Sequence, residues 1–201
     1  MKNDFVNPYK RSDASKNYVK IIDAAKKVFA VKGLETTIED VAIEANVGVG
    51  SVYRRFSNKQ QLVFAVSYEV LQEVFEEQER ILHERFSADQ MLIEIFACYA
   101  RLSVIYGKIH EMILDILVSP DPIYEEFQCN IVSTADRIYD EIIRIGKESG
   151  RFVDEDPRLI KIILKNTISP QVVKQLAEIT PIEHIAQKLA VLALHGIAKR
   201  S

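Results

Sequence analysis

The chain has 201 residues, 48% of them hydrophobic, enough to bury a full core as one compact unit or as a small head on a larger body. With 7 Gly, 6 Pro and no Trp, and apolar residues recurring about every three to four positions, it reads as all-α, with no strand-like alternation of useful length. Its formal charge of −3 is unevenly spread: residues 1–62 hold 11 Lys/Arg against 7 Asp/Glu and the remainder 15 against 22, so the N-terminal end is cationic and the rest acidic.

Residues 1–15 form a polar leader with Lys2, Lys10 and Arg11, expected to be disordered when free and to reach phosphate or a minor groove when bound. A first helix is predicted over residues 16–32, where Tyr18, Ile21, Ile22, Ala25, Val28 and Phe29 share one stripe and Gly33 supplies the stop. Thr36 with Glu39 and Thr37 with Asp40 offer overlapping capping boxes for a second helix, the first pair being the better match. In that helix Ile38, Val41, Ala42 and Ala45 make an apolar face, and Glu39, Asp40 and Glu44 take the other. Asn46 follows where the chain must turn sharply; after glycine it is the residue that most cheaply adopts positive φ. A third helix puts Val52 and Phe56 one turn apart and inward, leaving Gly50, Ser51 and Arg54 on a face the core does not need. That face is small near its start and basic near its end, as a helix entering a DNA groove requires.

At these residues the sequence resembles the tetracycline-repressor-type (TetR) family of bacterial transcription regulators. The resemblance covers about residues 18–62 and rests on many fixed spacings: Ile21, Ile22, Ala25 and Phe29; Gly33; Thr36 and Thr37; Val41 and Ala42; Ala45 and Val47; Gly50 to Tyr53; Phe56; Lys59 and Leu62. Asn46 replaces the family's usual turn glycine, a mild change, and Gly48 replaces a frequent capping serine, which removes one hydroxyl able to meet phosphate. The resemblance implies that Val49, Gly50, Ser51, Tyr53 and Arg54 face the major groove. Arg54 suits a guanine edge through its planar fork, Val49 and Ser51 a thymine methyl or a backbone oxygen, and Tyr53 a phosphate. Thr37 and Lys59, at helix starts, are expected to clamp phosphates, and Arg55 to serve either purpose.

Beyond the head, Ser57 with Gln60 is expected to cap a fourth helix running unbroken from residue 58 to about 84, and Ser87 with Gln90 a fifth to about residue 106. Gly107 marks a bend before a short helix carrying Met112, Ile113, Ile116 and Leu117, and residues 119–122 form a loop. A helix over about residues 123–147 follows, Asp156-Pro157 starts the next, Pro170 interrupts or kinks it after Ser169, and Pro181 opens the last. Residues 189–194 are apolar on every side, so a partner subunit is expected to cover them. On the fifth and sixth helices, where family members commonly enclose a small effector, Phe96, Tyr99, Tyr106, His110 and Met112 are the candidate ligand residues, with Cys98, Arg101 and Asp115 nearby.

No catalytic ordering of Ser, His and Asp, no glycine-rich phosphate loop and no metal-ligand spacing appears, so neither enzyme activity, cofactor nor metal is expected. Cys98 and Cys129 are too few and too isolated for a disulfide framework or zinc site, which suggests a reducing compartment. The most apolar run, residues 189–198, contains His195 and is too short to cross a bilayer, so a cytoplasmic protein without membrane association is expected. The expected organisation is a leader (1–15), a three-helix head with helix-turn-helix (16–62) and an effector-binding, dimerising body (63–201). The expected function is a homodimeric repressor on a palindromic double-stranded operator, released by a small-molecule effector. The competing reading is a helical ligand carrier or protein-interaction module whose head merely packs.

Overall fold

The computed structural model describes residues 16–197, so the basic leader expected over residues 1–15 lies outside the described residues. Ten helices follow one another among the described residues: α1 Lys16–Lys32, α2 Ile38–Glu44, α3 Val49–Arg55, α4 Lys59–His83, α5 Ala88–Ile105, α6 Lys108–Val118, α7 Glu125–Glu148, α8 Pro157–Thr167, α9 Pro170–Ala177 and α10 Ile182–Ile197. Short 3₁₀ turns occupy Gly33–Glu35 and Pro122–Tyr124. Two compact units divide the chain, one running to Glu73 and adding Ile105–Gln128, the other made of Val74–Val104 and the chain from Cys129 onward.

The first unit is built on the apolar stripe of α1. Ile21, Ala25 and Phe29 are buried beside Val41, Val52, Phe56 and Leu62, all at most 1% exposed. Helix α1 packs on α2 and also on α6, which lies far along the chain. Gly107 makes the second contact possible: it caps α6 with φ at +45°, and a Cβ placed there would stand 2.7 Å from the Ala30 carbonyl oxygen. One turn into α6, His110 is buried, and that burial holds its imidazole down at about 4. Tyr106 donates its hydroxyl hydrogen to the Glu73 carboxylate.

Two caps differ from their predicted registers. The box at α2 is Thr37 with Asp40: the Asp40 N–H donates to Thr37 Oγ1 at 3.1 Å and the Thr37 N–H to Asp40 Oδ2 at 2.9 Å. Thr36 cannot cap because it is fully buried, and its N–H closes the 3₁₀ turn on Gly33. The Lys32 ammonium, 2.7 Å away, and the bonds from Thr37 keep the Asp40 carboxyl down at about 2. At α4 the cap is Asn58 in place of Ser57. Asn58 Oδ1 accepts from the Gln61 N–H at 2.9 Å, and Gln61 Oε1 returns to the Ser57 N–H at 2.9 Å.

In the second unit the predicted punctuation holds. Ser87 accepts from the Gln90 N–H ahead of α5, and Asp156 accepts from the Arg158 N–H with Pro157 at the helix start. Ser169 caps α9, so Pro170 opens a separate helix instead of kinking a continuous one. Helices α8 and α10 pack together, burying Ile160, Leu164, Leu189, Ala190 and Ala193. Their other sides stay open: Ile162 is 60% and Leu192 68% exposed, with Leu159, Ile163 and Val191 also exposed. Cys98 is buried, Cys129 exposed, and both are free thiols.

Two stability predictions follow from this packing. Gly107→Ala meets both a positive φ and a backbone carbonyl, so urea denaturation should register a loss of about 3 kcal/mol or more, whereas Gly150→Ala, at φ +67° with open space around it, should cost only about 1–2 kcal/mol. His110 titrates near 6.5 when unfolded and near 4 when buried, so the unfolded chain binds more protons between those values. Its share of stability is therefore complete above about pH 6.5 and falls by up to about 3 kcal/mol as the pH drops toward 4, and a His110→Gln variant should lack that part of the pH dependence.

Candidate nucleic-acid interface

The interface is built from the α2–α3 pair. Ala45 ends α2, and Asn46 takes φ +51°, its N–H donating to Ile43 O while the Val47 N–H reaches back to Ala42 O at 3.0 Å. Those bonds satisfy the last carbonyls of α2 within a turn of three residues. Gly48, extended and without a side-chain bond, caps α3.

Helix α3 turns one side inward and one outward. Val52 and Phe56 are 0% exposed, and the Phe56 ring lies 6.1 Å from that of Tyr18. Facing out are Gly50, Tyr53 and Arg54, with Val49 and Ser51 half-buried. A Cβ on Gly50 would meet nothing within 4 Å, so the interior does not require glycine there, although glycine costs a helix about 1 kcal/mol relative to alanine. What its bareness supplies is close approach from outside. Arg54 Nη2 donates to Ser51 Oγ at 2.8 Å, which aims the guanidinium along the outer face.

The remaining predicted residues take distinct places. Thr37 uses its hydroxyl as the α2 cap, leaving one lone pair and the helix N-terminus beside it. Lys59, first residue of α4, donates to the Leu34 carbonyl, which anchors the ammonium without neutralising it. Arg55 lies with its Cζ 4.7 Å above the Tyr18 ring, and the Tyr18 hydroxyl donates to Glu69 at 2.9 Å. A recess of about 180 Å³ between the start of α1 and α3 is flanked by Arg54 and Arg55. The role of Tyr18 as a platform was not visible from its place on an apolar stripe.

Much of the head's positive charge is spent internally. Lys26 pairs with Glu73, Lys27 with Glu44 at 3.1 Å and Lys32 with Asp40 at 2.7 Å. Arg54 and Lys59, by contrast, hold no carboxylate partner among the described residues. Two of the cations left for a ligand therefore stand on α3 and at the start of α4.

The five candidate effector residues do not share one unit. Phe96, fully buried, and Tyr99 belong to the second, where burial pushes the Tyr99 phenol well above its ordinary range. Tyr106, His110 and Met112 belong to the first, and of these Met112 lines a cavity of about 380 Å³. No cluster of three or more His, Cys, Asp or Glu among the described residues is placed to hold a metal ion, and no helix among them is long and apolar enough to cross a membrane.

Residues 21–66 match the family described as bacterial regulatory proteins, tetR family. No curated protein matches the chain in sequence. Among solved structures, a tetR-family regulatory protein from Rhodococcus RHA1 aligns at 21% identity with a TM-score of 0.70, covering 93% of this chain and 100% of that one. The transcriptional regulator FadR of Bacillus subtilis, solved with stearoyl-CoA, aligns at 23% identity and TM-score 0.70, covering 90% and 99%. A ketosteroid transcriptional regulator of Mycobacterium tuberculosis gives 20%, 0.67, 93% and 97%. The matched region coincides with the helix-turn-helix, so residues 21–66 resemble the tetR family of bacterial regulatory proteins, and the chain shares its fold with these regulators over most of its length.

Proposed function

We propose that the protein is a cytoplasmic homodimeric repressor whose two heads enter successive major grooves about 34 Å apart on one face of a palindromic operator. The observation that carries this reading is the outer face of α3: bare at Gly50, polar at Ser51 and Tyr53, and ending in an Arg54 guanidinium bonded to a neighbouring hydroxyl and paired with no carboxylate among the described residues. Arg54 reads a guanine edge, Val49 and Ser51 meet a thymine methyl or a backbone oxygen, Tyr53, Thr37 and Lys59 hold phosphates, and Arg55 positions α3 from the Tyr18 ring.

The exposed aliphatic side chains of α8 and α10 support pairing of two copies, since a chain of this size rarely leaves several large apolar groups contiguous and bare. An effector held in the body favours a state whose heads cannot reach both half-sites and so releases the operator. The stearoyl-CoA complex of the similar Bacillus regulator supports an effector with a large apolar part.

Sites selected from a random duplex library give the operator and its half-site spacing. On that operator Arg54→Ala should cost about 1–3 kcal/mol and relax selectivity at one base pair, while Lys59→Ala should weaken binding evenly across sequences and lower the salt slope by about one. Equal losses on all duplexes from Arg54→Ala would assign it to phosphate alone. A Leu192→Glu, Ile162→Glu double variant should weaken self-association by at least about tenfold in sedimentation equilibrium, and an unchanged dimer would remove α8 and α10 from the interface.

A further inference from the structure

The first unit contains a second feature, which shares only Lys59 with the DNA contacts proposed above. A cavity of about 380 Å³ opens between the 3₁₀ turn after α1, the start of α4 and α6. Its walls are Val63, Met112 and Ile116, all buried, with Leu34 as a half-exposed lip. A volume of that size is in the range that takes a small molecule, and such walls favour an apolar body.

Its polar groups are not alike. The neutral groups are engaged: the Gln60 amide donates to the Tyr124 phenol oxygen at 2.8 Å, and Ser119 Oγ accepts from the Asp121 N–H at 3.3 Å. Lys59 and Asp115 remain. The Lys59 ammonium is held by a carbonyl and has no anionic partner among the described residues, and Asp115 has neither hydrogen bond nor ion pair among them. Lys59 begins α4, where the helix dipole adds positive potential, and Asp115 lies in the last turn of α6, where it adds negative. The cavity thus carries a positive pole and a negative pole that do not neutralise each other.

We infer that this cavity of the first unit is a small-molecule site, to which Phe96 and Tyr99 of the second unit do not contribute, and that it takes an apolar molecule bearing a carboxylate toward Lys59 and an amine toward Asp115. A simple fatty acid or a simple amine satisfies one pole and faces repulsion from the other. Because its positive pole is the ammonium assigned to phosphate, occupancy should compete with the operator. That consequence rests on the reading above; the binding itself does not.

The chain has three methionines, and two of them report separately: Met112 lines the cavity and Met91 is buried in the second unit. Full-length protein labelled with ¹³C at the methionine methyls is titrated with ω-amino carboxylic acids of about six to ten carbons, and with the corresponding monoacids and monoamines. The expected result is a saturable shift of the Met112 methyl, with Met91 unmoved, at least about tenfold tighter for the amino acids than for either control. Asp115→Asn, an exposed substitution, should erase the preference over the monoacid while leaving monoacid binding no weaker. A Met112 signal that does not move, one that responds equally to all three classes, or one accompanied by Met91 would overturn the assignment. Since no DNA is present, a failure here is separate from a failure to bind an operator.

Discussion

The burial of Val52 and Phe56 fixes the outer face of α3. A helix of seven residues cannot sustain itself in water, where segments shorter than about 12–15 residues are marginal even with good propensities. Helix α3 therefore exists because it packs on α2 and because two fully buried side chains one turn apart hold it in the core, Phe56 beside Tyr18 of α1, with the Phe56 N–H closing on Val52 O at 2.8 Å. That clamp also sets the rotation of the helix about its axis. Once positions 52 and 56 point inward, positions 50, 51 and 54 have no freedom except to point outward. The orientation of that outer face is a consequence of core packing, so a change at Phe56 alters it as much as a change at Arg54 does.

The net positive charge of the N-terminal stretch is not the same as charge available to a polyanion. Three lysines of α1 are consumed by Glu73, Glu44 and Asp40, where they tie α1 to α4 and α2. Exposed pairs of this kind contribute little to stability, but they leave these three ammonium groups less available to an anion. Arg54 and Lys59, without a carboxylate partner among the described residues, stand on α3 and at the N-terminus of α4. The same anchoring serves orientation: Arg54 is held by a hydroxyl and Lys59 by a carbonyl, so each keeps its full charge while losing freedom before any ligand arrives.

Local signals were legible in the sequence because their chemistry is local. Asn46 takes positive φ as its side chain allows, Asp156-Pro157 and Ser169-Pro170 start helices, and the Val52–Phe56 spacing places the inner face. Registers that depend on neighbours were not. The better box by composition, Thr36 with Glu39, gives way to Thr37 with Asp40 because Thr36 is needed in the core. Nor could spacing show that Arg55 would lie on Tyr18, or that Phe96 and Tyr99 would fall in one unit and Tyr106, His110 and Met112 in the other. Periodicity says that a face is buried; it does not say against what.

Helix α6 shows the consequence of that last point. It begins more than forty positions after the head ends, yet it packs on α1 and shares a compact unit with α2 and α3. The contact depends on Gly107, whose positive φ lets the chain pass close to the Ala30 carbonyl, and it buries His110 without its charge. A head held this way cannot shift α6 without disturbing α1, and α1 is the surface on which α3 is clamped. Anything that binds between α6 and the start of α4, where Lys59 lines the opening, therefore acts on the same packed layer that orients α3.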